Sequence, residues 1–485
     1  MKRTVKRLSK LPWLPICFIL LVVIFFSIRL VITYDSAHYL NYVAIFENNA
    51  PTSSWDIVRG PIFPVIIFSF NILFGKTGTG FLVGMFLFYL LFVLFCYKIC
   101  QKIFFHYKHK TIIQNTILAI LCLNPLIFGY FHTMLTEFIA ITITTINIFI
   151  AFKWLNCDVH RKSHLILYSL YFALNLIICY HLKQPYIIIA FIPLLVASII
   201  SIANHHTIKN IIYRISTILI SILLLFISIF IWNVVLENMG ANTTTGRDSS
   251  SLLSHQILQA FQINHDFNND GENDQISTPE SIGILFNNFF SNPLEIMRIY
   301  IGNYCGLSSI CTINSNDGVN YSSTLNPAGL ETFENSIIAY RPYENAPNIF
   351  PMPEKLYSLA SEYGESSNRS IFAIIFGKLG KPTNLLFKFS IFMCFPALIV
   401  LFIFRIKYKN KKHSSLFHLS TLLLLTSFAH LAISSGLGLI IDRYAIEIFV
   451  PSALGILGTA SYCRLVFVKK PKKHIIAPTK GNKNA

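Results

Sequence analysis

The sequence contains little charge for its length. Charged residues occupy 13% of its 485 positions, about half of the roughly 25% found in soluble domains. Hydrophobic residues make up 54%, and the mean hydropathy is +0.57. This composition excludes a cytosolic enzyme and an intrinsically disordered chain, since both need a far more polar surface. Continuous apolar runs exclude a transmembrane β-barrel, whose strands alternate apolar and polar residues.

Short nucleotide-binding and zinc-binding motifs are also absent. The sequence has no Walker A pattern, no Gly-x-Gly-x-x-Gly fingerprint and no Cys-x-x-Cys pair. Because these glycine loops are what hold phosphates and dinucleotides, we expect neither ATP hydrolysis nor use of a nucleotide-sugar through a Rossmann unit.

What the chain does contain is a series of long apolar runs. An α-helix needs about 20 apolar residues to cross the hydrocarbon core, so we predict an all-α polytopic membrane protein with about ten transmembrane helices. The first run follows a basic segment and lacks a small-residue cleavage site, which predicts an uncleaved span. The predicted spans are 11–32, 80–100, 112–130, 137–154, 164–181, 185–203, 211–236, 386–404, 415–436 and 444–466.

Residues 60–75 form a shorter apolar stretch with Pro61 and Pro64 near its start. If this stretch crossed the membrane, the basic segment 98–110 would face outward. If it lies along the outer surface instead, the loops and termini that face the cytoplasm hold 26 of the 39 Lys and Arg residues. Cytoplasmic loops are enriched in Lys and Arg. We therefore predict a juxtamembrane surface helix and cytoplasmic N- and C-termini in a cell inner membrane protein.

Polar composition then divides the chain. Residues 1–236 form an N-terminal transmembrane module whose first outer loop is 33–79. Residues 237–385, rich in Asn, Ser, Asp and Glu, form a mixed extracytoplasmic loop domain. Residues 386–468 contain the C-terminal transmembrane helices, and 469–485 form a basic cytoplasmic tail.

Several charged residues are predicted to meet at the outer ends of the spans. Ionisable groups at the membrane are costly and are often functional. A carboxylate there is suited to accept a proton from a hydroxyl, and cations are suited to hold a phosphate. The acidic candidates are Asp35 and Glu137, the phosphate-binding candidates are Arg59, Lys183 and Arg443, and the assisting candidates are His132 and Asp442.

Each candidate also has a structural interpretation that the sequence leaves open. Asp35 lies just past a helix end, where it can cap that end or solvate the start of a loop, and Glu137 lies where a carboxylate stabilises a helix start. Arg59 and Lys183 lie where basic side chains reach lipid headgroups. Asp442 and Arg443 are adjacent and suited to a local ion pair.

The outer loop domain carries two weaker patterns. Asp266, Asn268, Asp270 and Asp274 have spacings used by calcium-binding EF-hand loops, but Ser277 replaces the expected bidentate Glu. A turn cluster is the favoured interpretation, and a calcium site is the alternative. Cys305 and Cys311 would face an oxidising compartment, so a disulfide and two packed thiols both stay open.

These residues, taken in order, resemble integral membrane glycosyltransferases of the GT-C type. The resemblance is to the branch of bacterial aminoarabinose transferases and protein O-mannosyltransferases. It rests on Asp35 in TYDSAHYL, the stretch from Arg59 to Gly75, Thr136-Glu137, Lys183 before Pro185, and Asp442-Arg443-Tyr444. Ser36 stands where that family often has a second acid, which argues against a metal-bridged site.

The resemblance implies a glycosyltransferase that moves a sugar from a polyprenyl-phosphate donor to an outer-face acceptor. The acceptor would be lipid A, another envelope glycan or a protein. In this reading Asp35 is the base, Glu137 assists, and the cations bind the departing phosphate. ATP is not required, no cofactor is specified, and a divalent metal stays an alternative. The rival predictions are a lipid-linked sugar flippase or transporter and an O-antigen polymerase-type assembly protein. Nucleic acid is not an expected partner.

Overall fold

The computed structural model describes residues 13–28, 30, 32, 34–55, 60–157, 162–204, 207–241, 278–294, 296–298, 363, 371–408, 413–436 and 442–468. This part of the chain is helical and contains no β-strand. The helices are α1 (Trp13–Phe26), α2 (Tyr34–Phe46), α3 (Ile62–Phe74), α4 (Gly78–Ile103), α5 (Lys110–Cys122), α6 (Pro125–Tyr130), α7 (Glu137–Leu155), α8 (Lys162–Leu182), α9 (Ile187–Asn204), α10 (Ile208–Asn238), α11 (Thr278–Ser291), α12 (Ile371–Tyr408), α13 (Ser414–Gly436) and α14 (Phe449–Val468).

Eight helices within the described ranges are long and apolar enough to cross a membrane. They comprise α4, α7, α8, α9, α10, the part of α12 from Leu385, α13, and a final helix from Ala445 to Phe467. The prediction of an all-α polytopic membrane protein is therefore confirmed. The predicted count of ten also included the apolar runs at 11–32 and 112–130.

The run at 112–130 is not one continuous helix. α5 ends at Cys122 after 13 residues, and α6 starts at Pro125. The break has a local cause, because the side chain of Asn124 accepts a hydrogen bond from the Leu126 backbone N–H at 2.9 Å. An Asn cap followed by Pro is a strong helix start. At about 1.5 Å per residue, neither α5 nor α6 spans roughly 30 Å of hydrocarbon alone.

The helix formed by the first apolar run ends earlier than composition predicts. α1 ends at Phe26, whereas apolar residues continue to Ile32. At the end of α1, the Ser27 hydroxyl donates a hydrogen bond to the Val23 carbonyl. Such side-chain bonds offer the backbone an alternative to further helical bonding.

α3 has 13 residues and corresponds to the apolar stretch at 60–75. At about 1.5 Å per residue it is some 20 Å long, which is shorter than the hydrocarbon core. Phe63, Ile67 and Phe70 are buried on one face, while Ile72 and Leu73 are exposed. α3 packs on α2, α4 and α8.

α7 is the central helix of the bundle. It packs against α4, α8, α9, α13 and the 3-10 helix Asp442–Ile448, and nearly all its residues are buried. At its C-terminus, the buried Arg214 guanidinium of α10 donates to the carbonyls of Trp154 at 2.7 Å and Leu155 at 3.4 Å. These are carbonyls that a helix end leaves without intrahelical partners. Arg214 therefore fixes one end of α7.

The polar excursion predicted at 237–385 is partly helical. α10 ends at Asn238, α11 lies within the excursion, and α12 begins at Ile371, before the predicted span boundary at 386. The chain before α3 packs back on the end of α10, because the Thr52 hydroxyl donates to the Met239 carbonyl at 2.9 Å. Trp55 is fully buried beside Trp232 of α10.

Candidate functional site

Glu137 is the first residue of α7, at the end opposite Arg214. It is fully buried. The Thr136 hydroxyl donates to its Oε2 at 3.4 Å. A carboxylate at a helix N-terminus is stabilised by the backbone N–H groups there, and this compensates in part for its removal from water. Sequence reasoning placed Glu137 at a span start, and the structure has it at that position.

Lys183 approaches Glu137 from the connection between α8 and α9. Its Nζ is 3.9 Å from Oε1 of Glu137, and the two side chains are 16% and 1% exposed. The same ammonium lies 5.7 Å from the ring centroid of Tyr186. The Lys183 ammonium is therefore partly accessible to solvent, whereas the Glu137 carboxylate is almost fully buried. Such a cation can bind an incoming anion.

Tyr186 was not predicted as a site residue. Its hydroxyl is 3.1 Å from the Thr136 hydroxyl, which links the 3-10 helix Gln184–Tyr186 to the start of α7. Thr136, Glu137, Lys183 and Tyr186, here called the Glu137 cluster, therefore form one connected group. An aromatic residue with a hydroxyl next to Lys-Gln-Pro was visible in the sequence, but its distance from Thr136 was not.

The start of α2 is tied to the segment just before the Glu137 cluster. The buried Ser36 hydroxyl donates to the Met134 carbonyl at 2.6 Å. Asp35 occupies the first turn of α2, and its side chain lies outside the described residues. The backbone at Asp35 is thus adjacent to the loop that leads into Glu137. Sequence reasoning treated Ser36 as a missing acid and did not predict this tether.

The chain leading into α3 is tied to the other half of the cluster. Gly60 lies against the backbone of His181 so closely that a Cβ would overlap the His181 carbonyl. His181 is in the last turn of α8, two residues before Lys183. Arg59, the predicted phosphate ligand, precedes Gly60 and lies outside the described residues. Only glycine permits this approach, so the contact requires Gly60.

The late Asp442-Arg443 pair belongs to the 3-10 helix Asp442–Ile448, which packs against α7, α13 and α14. The side chains of Asp442 and Arg443 lie outside the description. Glu447 in the same element is 1% exposed and is a buried acid that sequence reasoning missed. Its signal was an acid within the apolar run YAIEIFV. Buried carboxylates are rare enough to make Glu447 a further candidate.

His132 occupies a packed position. Its Nδ1 and Nε2 lie 2.7 Å from the Phe128 carbonyl and 2.9 Å from the Phe25 carbonyl. Burial lowers the pKa of His132 to about 4, although both carbonyls act in the opposite direction. With this pKa His132 is neutral at pH 7, so one of its ring nitrogens donates to one of the two carbonyls, and the ring packs between α1 and α6. Its assisting role stays a prediction.

The residues of the predicted calcium and disulfide sites are not among those that the structure describes. Among the described residues, no group of three or more His, Cys, Asp or Glu side chains is placed to hold a metal ion. The calcium-like residues Asp266, Asn268, Asp270 and Asp274 lie outside the described ranges. Cys305 and Cys311 do too.

The arrangement thus joins parts of the chain that are far apart in sequence. The described contacts bring together Glu137 and Lys183, and they attach the backbone near Asp35 and Arg59 to the same end of the bundle. A buried acid, a partly exposed cation and an adjacent short apolar helix are suited to a ligand with a phosphate and a lipid tail. No protein family, curated protein or solved structure matches this chain.

Proposed function

We propose that this protein is a membrane glycosyltransferase. It moves a sugar from a polyprenyl-phosphate donor to an acceptor hydroxyl at the outer face of the inner membrane. The observation that carries the proposal is the Glu137–Lys183 pair at 3.9 Å, with the first turn of α2 and the start of α3 attached beside it. The proposal is supported because backbone next to the candidate base Asp35 and next to the candidate phosphate ligand Arg59 is attached beside this pair.

In the proposed reaction, the acceptor oxygen bonds to the anomeric carbon of the sugar. The bond between that carbon and the donor phosphate oxygen breaks, and the electron pair leaves with the lipid phosphate. Asp35 accepts the proton of the acceptor hydroxyl. Lys183, Arg59 and Arg443 stabilise the charge that develops on the phosphate. The donor supplies the energy of the transfer, so no nucleotide is consumed.

Glu137 acts as a positioning residue for Lys183 in this mechanism. Its side chain is 1% exposed, which leaves little access for an acceptor hydroxyl. A carboxylate held by Thr136 at a helix start instead keeps the Lys183 ammonium in place. This assignment refines the prediction that Glu137 assists catalysis.

α3 supports the lipid-binding part of the proposal. Its length is below that of a span, and it presents Val65, Ile72 and Leu73 outward. A helix of this kind lying along the membrane surface offers apolar contacts to a polyprenyl chain while its N-terminal end meets the headgroup level. Gly60 at that end touches α8 next to Lys183.

The test is mass spectrometry of envelope glycans and lipid-linked sugars from cells that lack the gene. These cells are complemented with wild type, Asp35→Asn, Lys183→Gln or Lys76→Gln. Lys76 pairs with Glu47 at 2.9 Å beyond α3, so Lys76→Gln removes an ion pair outside the cluster. In cells with Asp35→Asn or Lys183→Gln, we expect one envelope glycan to be lighter than in wild type by the mass of one sugar. In cells with Lys76→Gln, we expect that glycan to have its wild-type mass.

Donor sidedness separates the transferase from a flippase. A missing transferase leaves the lipid-linked sugar in the outer leaflet, where impermeant periodate oxidises it in intact spheroplasts. A missing flippase leaves the donor in the inner leaflet. Wild-type glycans in both the Asp35→Asn and Lys183→Gln cells, or a donor protected from periodate, would overturn the proposal.

A further inference from the structure

The end of the bundle away from the Glu137 cluster is basic. Basic side chains occur near the ends of six helices there, namely α4, α5, α7, α10, α12 and α14. Ser461 of α14 donates to the Ile103 carbonyl at the end of α4, and Arg464 lies over Tyr107, so these termini share one level. Besides the buried Arg214, the described basic side chains of this end are exposed or partly exposed: Lys98, Lys102, Lys108, Lys110, Lys153, Lys209, Arg405, Lys407 and Arg464.

Two of these lysines share an aromatic platform between α4 and α7. Phe95 and Phe149 meet edge to face at 5.5 Å between ring centroids. The Lys98 ammonium lies 4.8 Å from the Phe95 centroid and 5.7 Å from the Phe149 centroid. The Lys153 ammonium lies 5.6 Å from the Phe149 centroid. Both cations therefore contact the Phe149 ring, and Lys98 also contacts the Phe95 ring.

The platform places like charges near each other without a described acid between them. Neither Lys98 nor Lys153 forms an ion pair with a carboxylate among the described residues. Two ammonium groups around one ring repel each other, and an anion between them converts that repulsion into attraction. Both ammonium groups lie within 5.7 Å of the Phe149 centroid, and a phosphate group is an anion that lysine ammonium groups bind well.

The position of Lys98 identifies the source of that phosphate. Leu87, Leu91 and Leu94 are exposed along one face of α4, and Lys98 continues the same helical spacing by four residues. Lys98 is five residues from the end of α4 at Ile103, which is about 8 Å along the axis. A cation that ends a lipid-facing stripe lies at the headgroup level of a membrane. Acyl chains can therefore cover the leucines while the phosphate meets Lys98.

The geometry points to a binding site for the phosphate of an anionic phospholipid at Lys98 and Lys153, on the platform of Phe95 and Phe149. This site is independent of the proposed transferase site, because it lies at the opposite end of α7. Each lysine near an anionic headgroup contributes about fivefold in affinity, so loss of both lowers it about thirtyfold.

The test uses the full-length protein in nanodiscs that contain phosphatidylcholine and phosphatidylglycerol. Native mass spectrometry counts the lipids that stay bound to wild type and to the Lys98→Gln/Lys153→Gln variant. The control variant, Lys108→Gln/Lys209→Gln, removes the same charge from exposed positions at the same end. A Lys98→Arg/Lys153→Arg variant keeps both cations and shows whether a loss arises from charge or from misfolding.

We expect wild type, the control and the Arg variant to retain one phosphatidylglycerol that the Gln variant loses. Titration with phosphatidylglycerol should show the thirtyfold weakening only in the Gln variant. Equal retention in wild type and the Gln variant, or loss in the control as well, would overturn the site. Complete displacement of the bound lipid by inorganic phosphate would show a soluble-anion site instead and would also overturn the lipid assignment.

Discussion

The charges of Glu137 and Lys183 should couple more strongly than those of a shorter ion pair that is better hydrated. Two unit charges 3.9 Å apart attract by about 4 kcal/mol at an effective dielectric constant of 20. The Thr136 hydroxyl beside Glu137 and the partial exposure of Lys183 both weaken this attraction. We therefore expect a coupling free energy of about 2 kcal/mol.

A double-mutant cycle measures this coupling. The variants are Glu137→Gln, Lys183→Gln and the double variant, and the quantity is the free energy of unfolding in mixed detergent micelles. The matched control is the cycle of Glu47 and Lys76, whose charged atoms are 2.9 Å apart but whose side chains are 19% and 33% exposed. Exposed pairs contribute about 1 kcal/mol or less.

The comparison separates burial from distance. If distance alone decided the coupling, the Glu47–Lys76 pair would couple more strongly. If burial decides it, the Glu137–Lys183 cycle gives the larger value, as we expect. A coupling for Glu137 and Lys183 that is no larger than that of the control would refute the electrostatic account of the cluster.

Two further predictions concern packing near the site. Gly60→Ala should lower the unfolding free energy by about 1–3 kcal/mol, because the added methyl overlaps the His181 backbone. The control Gly283→Ala has open space for the methyl group and should not lower the unfolding free energy. Equal effects of the two variants in thermal unfolding would contradict this prediction. His132 has a folded-state pKa of about 4 against an ordinary 6.5, so its contribution is present above pH 6.5 and is lost as the pH falls toward 4. Over that interval wild type should lose about 3 kcal/mol more than His132→Gln, and parallel pH profiles would contradict the assignment.

The sequence was sufficient to predict that Glu137 and Lys183 lie at the ends of apolar runs. Glu137 and Lys183 were predicted at one level because charges are excluded from the middle of a span. Their separation could not be predicted, since it depends on how α8 and α9 pack on α7. The contact between the Tyr186 and Thr136 hydroxyls could not be predicted for the same reason, because it also depends on how these helices pack.

Two local signals were present in the sequence and were not used. Asn124-Pro125 is a helix start inside a run that composition alone joined into one span. Ser36 was interpreted only as the position where the similar family often has a second acid, although a serine hydroxyl can donate a hydrogen bond, as Ser36 does to the Met134 carbonyl. Hydrophobicity identifies which segments enter the membrane, whereas caps and tethers determine where each helix begins and what its first turn touches.

α7 is held at both ends. At its N-terminus the Glu137 carboxylate faces Lys183, and at its C-terminus the last carbonyls accept hydrogen bonds from Arg214. Movement of α7 along its own axis would therefore break the contacts at both of its ends together.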